Sequence, residues 1–130
     1  MKKILSGSIL FVLGAVFGLT LSGVWAADES PRPAFLIVSA DRNTGVSNAD
    51  YAPYQQAAGP LARAAGLSMV ATSQAPKVLE GDWPYGNVAI EQFASMDALE
   101  SFWYSDGYQA AKKLREGLST INFIVAVEGD

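Results

Sequence analysis

Neither cysteine nor histidine occurs anywhere in this sequence, and the two absences together remove much of the usual chemistry of small proteins. No disulfide can staple the fold, no thiol can act as nucleophile, and no lipid can be attached to a processed N-terminal cysteine. The common nucleophile–base pairs, zinc sites with sulfur or imidazole ligands and the usual haem ligands are excluded as well. A carboxylate-only metal site is the form that survives, but no Asp or Glu pair stands at a recognisable spacing, so no metal is expected. Gly81, Gly86, Gly107 and Gly117 fall in no phosphate-cradling pattern, so no nucleotide or other cofactor is expected either. Basic residues are scarce, 9 Lys and Arg against 13 Asp and Glu. Lys112, Lys113 and Arg115 form the one local basic group, beside Asp106 and Glu116, and read as a solvated helix face; nucleic acid is not an expected partner.

The N-terminus holds a different kind of information. Lys2 and Lys3 precede a stretch from Ile4 through Ala27 with no charged residue, rich in Leu, Ile, Val and Phe up to Leu21. Small or modest side chains at Val24 and Ala26 then suit a signal peptidase, which predicts an export signal over residues 1–26 cleaved before Ala27. The rival is a retained anchor, because the stretch exceeds the roughly 20 residues a membrane-crossing helix needs. Cleavage leaves a periplasmic or secreted protein with no membrane attachment. Losing Lys2 and Lys3 leaves 7 basic against 13 acidic residues, a charge of about −6. Residues 27–33, charged and carrying Pro31 and Pro33, read as a linker, and 34–129 as one domain, long enough to build a core without staples.

Within that domain Ala34–Ala40 is a short apolar, β-branched run and predicts a central strand. A loop over Arg42–Asn48 leads to a helix opening at Ser47 or Asn48, with Asp50 placed for a capping box. Tyr51, Tyr54, Ala58, Leu61 and Ala65 follow at helical spacing; Pro53 and Pro60 predict a distorted first turn and a kink near Gly59, and Gly66 a stop. Leu67–Ser73 is a weaker strand, Lys77–Gly86 a loop, and Asn87–Ala94 a strand with Val88, Ile90 and Gln92 on one face and Ala89, Glu91 and Phe93 on the other. Ser95 caps a helix that restarts at Ser105 and Asp106 and continues to Gly117. Ile121–Val127 is the last strand.

The order βαββαβ is that of the ferredoxin-like α+β fold, an antiparallel sheet with both helices on one face. The first and last strands are apolar on both faces: Leu36, Val38 and Ala40 alternate with Phe35, Ile37 and Ser39, and Ile121, Phe123, Val125 and Val127 with Ile124 and Ala126. Two helices cover one face, so the other calls for a cover, and a second copy of the chain is the simplest. A homodimer is therefore expected. The rival is a monomer whose Lys77–Gly86 loop, with Trp83, folds back over the sheet.

The segments Leu79-Glu80-Gly81-Asp82-Trp83, Glu91-Gln92-Phe93-Ala94-Ser95-Met96 and Phe102-Trp103-Tyr104-Ser105-Asp106-Gly107-Tyr108-Gln109-Ala110, with Leu114-Arg115, resemble the DUF1330 family, a group of unknown function. The resemblance runs from about Pro33 to Gly129. It implies a ferredoxin-like monomer paired sheet to sheet as a dimeric α+β barrel, an architecture shared with small oxygenases, muconolactone isomerases and stress-response proteins. Fold alone does not carry function. The chain also departs from the family pattern: Gly66-Leu67 replaces the Gly-Gly pair after the first helix, and the arginines common in the following strand and before the third strand are missing from Val70–Ser73 and Pro84–Asn87.

For chemistry, Glu91 is the leading catalytic candidate, since a carboxylate on a buried strand must be paired, raised in pKa or turned into a pocket. The alternative is that it faces solvent at an edge or pairs with Arg115. Ser39 and Asn122 are polar positions on apolar strands, either ligand contacts or satisfied core groups. Tyr51, Tyr54, Trp103, Tyr104 and Tyr108 are candidate ligand contacts or else packing and dimer surface; Trp83 is a lid or a ligand stack. Two functions follow. One is binding of a small apolar or aromatic molecule, as a cofactor-independent isomerase or oxygenase-like enzyme with Glu91 as general acid or base and a tyrosine steering the substrate. The other is a non-catalytic dimeric structural or interaction module.

Overall fold

The structure, a computed structural model, describes residues 30–130, so the expected signal segment lies outside the described residues. The elements run β1 (Ala34–Arg42), α1 (Asn48–Ala64), β2 (Ser68–Ser73), β3 (Val88–Phe93), α2 (Met96–Trp103), α3 (Asp106–Lys113) and β4 (Ser119–Glu128). The four strands form one antiparallel sheet in the order β2-β3-β1-β4. This is the ferredoxin-like arrangement that the element order predicts.

Local chemistry accounts for the helix boundaries. Ser47 and Asp50 close the capping box, with the Ser47 amide donating to Asp50 Oδ2 at 2.7 Å and the Asp50 amide to Ser47 Oγ at 3.3 Å. The Ser47 amide, and then the Ser47 hydroxyl, which donates to the same Asp50 oxygen at 2.7 Å, hold the Asp50 carboxyl below its usual range. At the other end Gly66 takes φ +77°, and the amides of Gly66 and Leu67 reach back to the carbonyls of Arg63 and Ala62. That left-handed cap satisfies two orphan carbonyls and turns the chain into β2. Neither Pro53 nor Pro60 ends the helix: α1 is a single helix of 17 residues that runs through both. Both prolines are exposed, so the carbonyls they leave without a donor, of Ala49 and Gln56, meet water rather than a dry core. The second helical region divides where Ser105 Oγ accepts from the Tyr108 amide and so caps α3. It ends at Lys113, before the expected Gly117, because residues 114–118 tighten into turns bonded to the carbonyl three residues back.

Phe93, Leu99, Phe102 and Tyr108 are buried together with Ala34, Leu36, Ala58 and Ala111, and the rings of Phe93, Phe102 and Tyr108 stack in series at centroid separations of 5.5 and 4.2 Å. This core lies between α2, α3 and the β1–β3 centre of the sheet. The first helix contributes less: α1 packs chiefly on α3, and β2 is exposed from Ser68 to Thr72. A gap therefore opens between α1 and the β3 side of the sheet.

The register fixes which residues share a face. Leu36 pairs with Glu91 and with Ala126, so all three point toward the helices, while Ile37 pairs with Ile90 and Val125 on the far face. The face assignment for β3 is as expected. For β4 it needs one correction, because Ser39 pairs with Phe123 but Ala40 with Ile121. Asn122 is thus an extra residue, a bulge that moves Ile121 to the helix side while Phe123, Val125 and Val127 stay on the far face. The far face is covered unevenly. Trp83 and Tyr85, from the loop before β3, pack edge-on against Phe123 at 5.8 and 5.3 Å, and Ser39 beneath is fully buried. At the other end Val125 and Val127 remain almost half exposed.

Candidate functional site

The gap between α1 and the sheet forms a cleft of about 360 Å³ lined by Tyr54, Ala58, Arg63, Leu67, Glu91 and Tyr108, with Phe102 at its base. That volume lies at the lower end of the range of small-molecule sites, roughly 300–1,000 Å³. Small side chains make the room. Ala58, Gly59 and Ala62 present little bulk along the lining face of α1, so the helix can stand over the sheet without filling the space below it.

Glu91 reaches this cleft because β3 alternates, sending Ala89, Glu91 and Phe93 to the helix side. Among the described residues its carboxyl has neither an ion pair nor a hydrogen bond. The ion pair present there joins Arg32 to Glu128 at 3.7 Å, and Arg115, the partner expected as the alternative, instead lies over the Tyr54 ring at 5.5 Å. Burial without a partner pushes the Glu91 carboxyl above its usual range. Facing it from the helices, the Tyr54 and Tyr108 hydroxyls lie 3.3 Å apart and share one hydrogen bond. Burial, and then the bond to Tyr54, push the Tyr108 hydroxyl far above its ordinary range, and the Glu91 charge adds to this. Tyr108 therefore keeps its proton, and the bonded pair has a hydroxyl hydrogen left to donate to a ligand. A carboxyl with its pKa raised, beside this hydroxyl pair, can take a proton from carbon while a hydroxyl donates to the oxygen on which charge develops.

The other sequence candidates lie elsewhere. Ser39 and Asn122 belong to a polar cluster on β1 and β4, in which Asn122 Nδ2 donates to Ser39 Oγ at 3.1 Å and to Asp41 Oδ2 at 2.8 Å. Asn87 completes it, accepting from the Ala40 amide at 3.2 Å and donating to the Ala40 carbonyl at 2.7 Å. These groups satisfy one another and fasten the end of the Trp83 loop to β1. Tyr51 lines a second cleft of about 280 Å³ with Val38, Arg42, Thr72, Gln74 and Asn87; its hydroxyl donates to the Leu118 carbonyl and Arg42 covers its ring. Trp103 packs on Tyr108 and under Lys112, and borders a shallow recess with Tyr104, whose ring is largely exposed. Of the eight candidates, then, Glu91, Tyr54 and Tyr108 meet in one cleft. Arg63, Gln55 and Leu67 also line it, and sequence reading missed them; the run of small residues Ala57, Ala58 and Gly59 facing a strand carboxylate was the available signal.

Known proteins share the architecture. A protein of unknown function from Rhodopseudomonas palustris superposes with a TM-score of 0.58 at 18% identity, covering 76% of this chain and 83% of its own. A hydroxynitrile lyase from Passiflora edulis superposes at 0.55 and 15% identity, over 77% of this chain and 95% of its own. At such identities the likeness establishes the fold alone. No curated protein matches the sequence. Residues 33–129, nearly the whole of the described chain, match the family described as "Domain of unknown function (DUF1330)", and the chain belongs to that family.

Proposed function

We propose that this chain is an exported domain that binds one small, largely apolar molecule in the cleft between α1 and the sheet, and that Glu91 acts there as general acid or base. The observation that carries the reading is the unpaired Glu91 carboxyl facing the Tyr54–Tyr108 hydroxyl pair across a cleft of ligand size. A carboxylate taken out of water for stability is paired; Glu91 is half-buried, without a partner among the described residues, and lines the cleft. The chemistry is cofactor-independent proton transfer, as in an isomerase or an oxygenase-like enzyme that activates its substrate by deprotonation. Glu91 removes a proton next to a carbonyl and the tyrosine hydroxyls hold the carbonyl oxygen. That a hydroxynitrile lyase is built on a similar fold makes an active site on this scaffold a reasonable expectation by analogy. Solvent-deuterium exchange tests the proposal. A panel of small aromatic and alicyclic ketones and lactones, incubated in heavy water and followed by NMR, should include a compound that gains deuterium at its acidic carbon with the native protein and not with Glu91→Gln. Equal exchange with both proteins would remove Glu91 from the mechanism.

The far face of the sheet supports a homodimer. Phe35, Ile37, Ile90, Val125 and Val127 form an apolar strip that the Trp83 loop leaves uncovered. Two such faces joined about a two-fold axis bury roughly 1,200–2,000 Å², enough for a stable interface. Light scattering on residues 27–130 should give twice the monomer mass; a monomer at every concentration would mean that the loop is cover enough.

A further inference from the structure

Arg63 is the cleft residue that the proposed chemistry leaves without a role. It stands in the last turn of α1, and its Nη1 lies 3.3 Å from the point where a side chain on Gly59 would begin. The guanidinium is therefore folded back one turn along the helix, into the seat that the missing Gly59 side chain leaves at the mouth of the cleft. Among the described residues it has no carboxylate partner. Alanine at 59 would crowd the guanidinium by a few tenths of an ångström, and a larger residue would compete for the same seat.

We propose that the ligand of the cleft is an organic carboxylate, held at the mouth by Arg63 with its apolar body along Ala58, Ala62 and Leu67 and its reactive end at Glu91. The inference rests on the reading of the cleft as a ligand site and names the class of molecule it takes. A planar guanidinium with two parallel N–H groups matches a carboxylate in a way that a point charge does not. A single negative charge is favoured over a phosphate dianion for two reasons. One guanidinium is the cationic group among the cleft-lining residues, and it sits at the C-terminal end of α1, where the helix dipole disfavours added negative charge. The ligand's charge lies at the end of the cleft away from Glu91, so the two acids need not meet. Charged and titratable groups around Glu91 are Arg63 from α1, the Tyr54 and Tyr108 hydroxyls from α1 and α3, and Arg115 beyond the Tyr54 ring.

The test is an NMR titration of the folded protein with phenylacetate, with its neutral isostere phenylacetamide and with phenyl phosphate. Readouts are the amide signals of Ala58, Ala62 and Leu67. Phenylacetate is expected to move them and to bind at least tenfold more tightly than either comparator. Arg63→Gln, at an exposed position where it should not disturb folding, should bring the acid down to the affinity of the amide, while Arg63→Lys should keep part of the difference. Equal affinity for acid and amide in the native protein, or an undiminished preference in Arg63→Gln, would overturn the carboxylate inference and leave the cleft reading standing. Tighter binding of phenyl phosphate would overturn the choice of a monoanion. No cleft signal moving with any of the three probes would count against both readings.

Discussion

Two polar clusters interrupt the apolar sheet, and they differ in how they are completed. Ser39 and Asp41 on β1, Asn122 on β4 and Asn87 just before β3 supply donors and acceptors to one another and to the Ala40 backbone. On β3, Glu91 has no partner among the described residues, and the hydroxyls opposite it are bonded to each other. Both clusters are part-buried, and a buried polar group left unpaired costs about 1–3 kcal/mol. A group that exists for stability finds its partner within the fold, as Asn122 does. A group whose partner is not in the fold, aimed into a cleft, implies a partner from outside.

If that contrast is right, substitutions in the two clusters should have opposite consequences. The largest effect is expected for Asn87→Ala, which strips two bonds from the Ala40 backbone and releases the Trp83 loop; denaturant unfolding should show a loss of about 2 kcal/mol. Tyr54→Phe comes next. It leaves the buried Tyr108 hydroxyl without its hydrogen bond, for a loss of about 1 kcal/mol by the same measurement, and it should weaken any exchange activity that depends on Glu91.

The smallest effect on stability, and of the other sign, is expected for Glu91→Gln. The folded-state pKa of Glu91 is raised above the ordinary 4.5, so the protonated form is the one folding favours. Its contribution is fully present below the unfolded pKa and is lost as the pH rises through the folded value. Glutamine resembles the protonated form at every pH. The variant should therefore melt at the same temperature as the native protein in acid, and at the same or a slightly higher one at neutral pH. A variant that melts lower at neutral pH would reveal an ion pair and erase the difference between the two clusters.

Much of this was legible in the sequence, for reasons that can be named. Strand alternation placed Glu91 on the side of Ala89 and Phe93, and the spacing of Tyr54 and Ala58 put them on one helical face; local periodicity decides both. The capping serines at 47, 95 and 105 are local as well. Features that depend on contacts across the chain were not legible. The Asn122 bulge shifts Ile121 to the other face by a single residue, which an alternating apolar pattern cannot reveal. That one helix would run through Pro53 and Pro60 was not legible either, because sequence does not say that both would face water. Sequence also did not show that the missing side chain of Gly59 provides the seat for Arg63. Asn122 and Ser39 looked like Glu91 in sequence, as polar residues on apolar strands, and only their partners tell them apart.

That Glu91 is a half-buried carboxyl without a partner among the described residues can be checked by following its side-chain carboxyl carbon by NMR through a pH titration of the folded protein, with Glu91→Gln used to assign the signal. A midpoint above 4.5 is expected, rising further when an anion occupies the cleft. A midpoint at or below 4.5 would show that the carboxylate is solvated or paired, and would contradict the account.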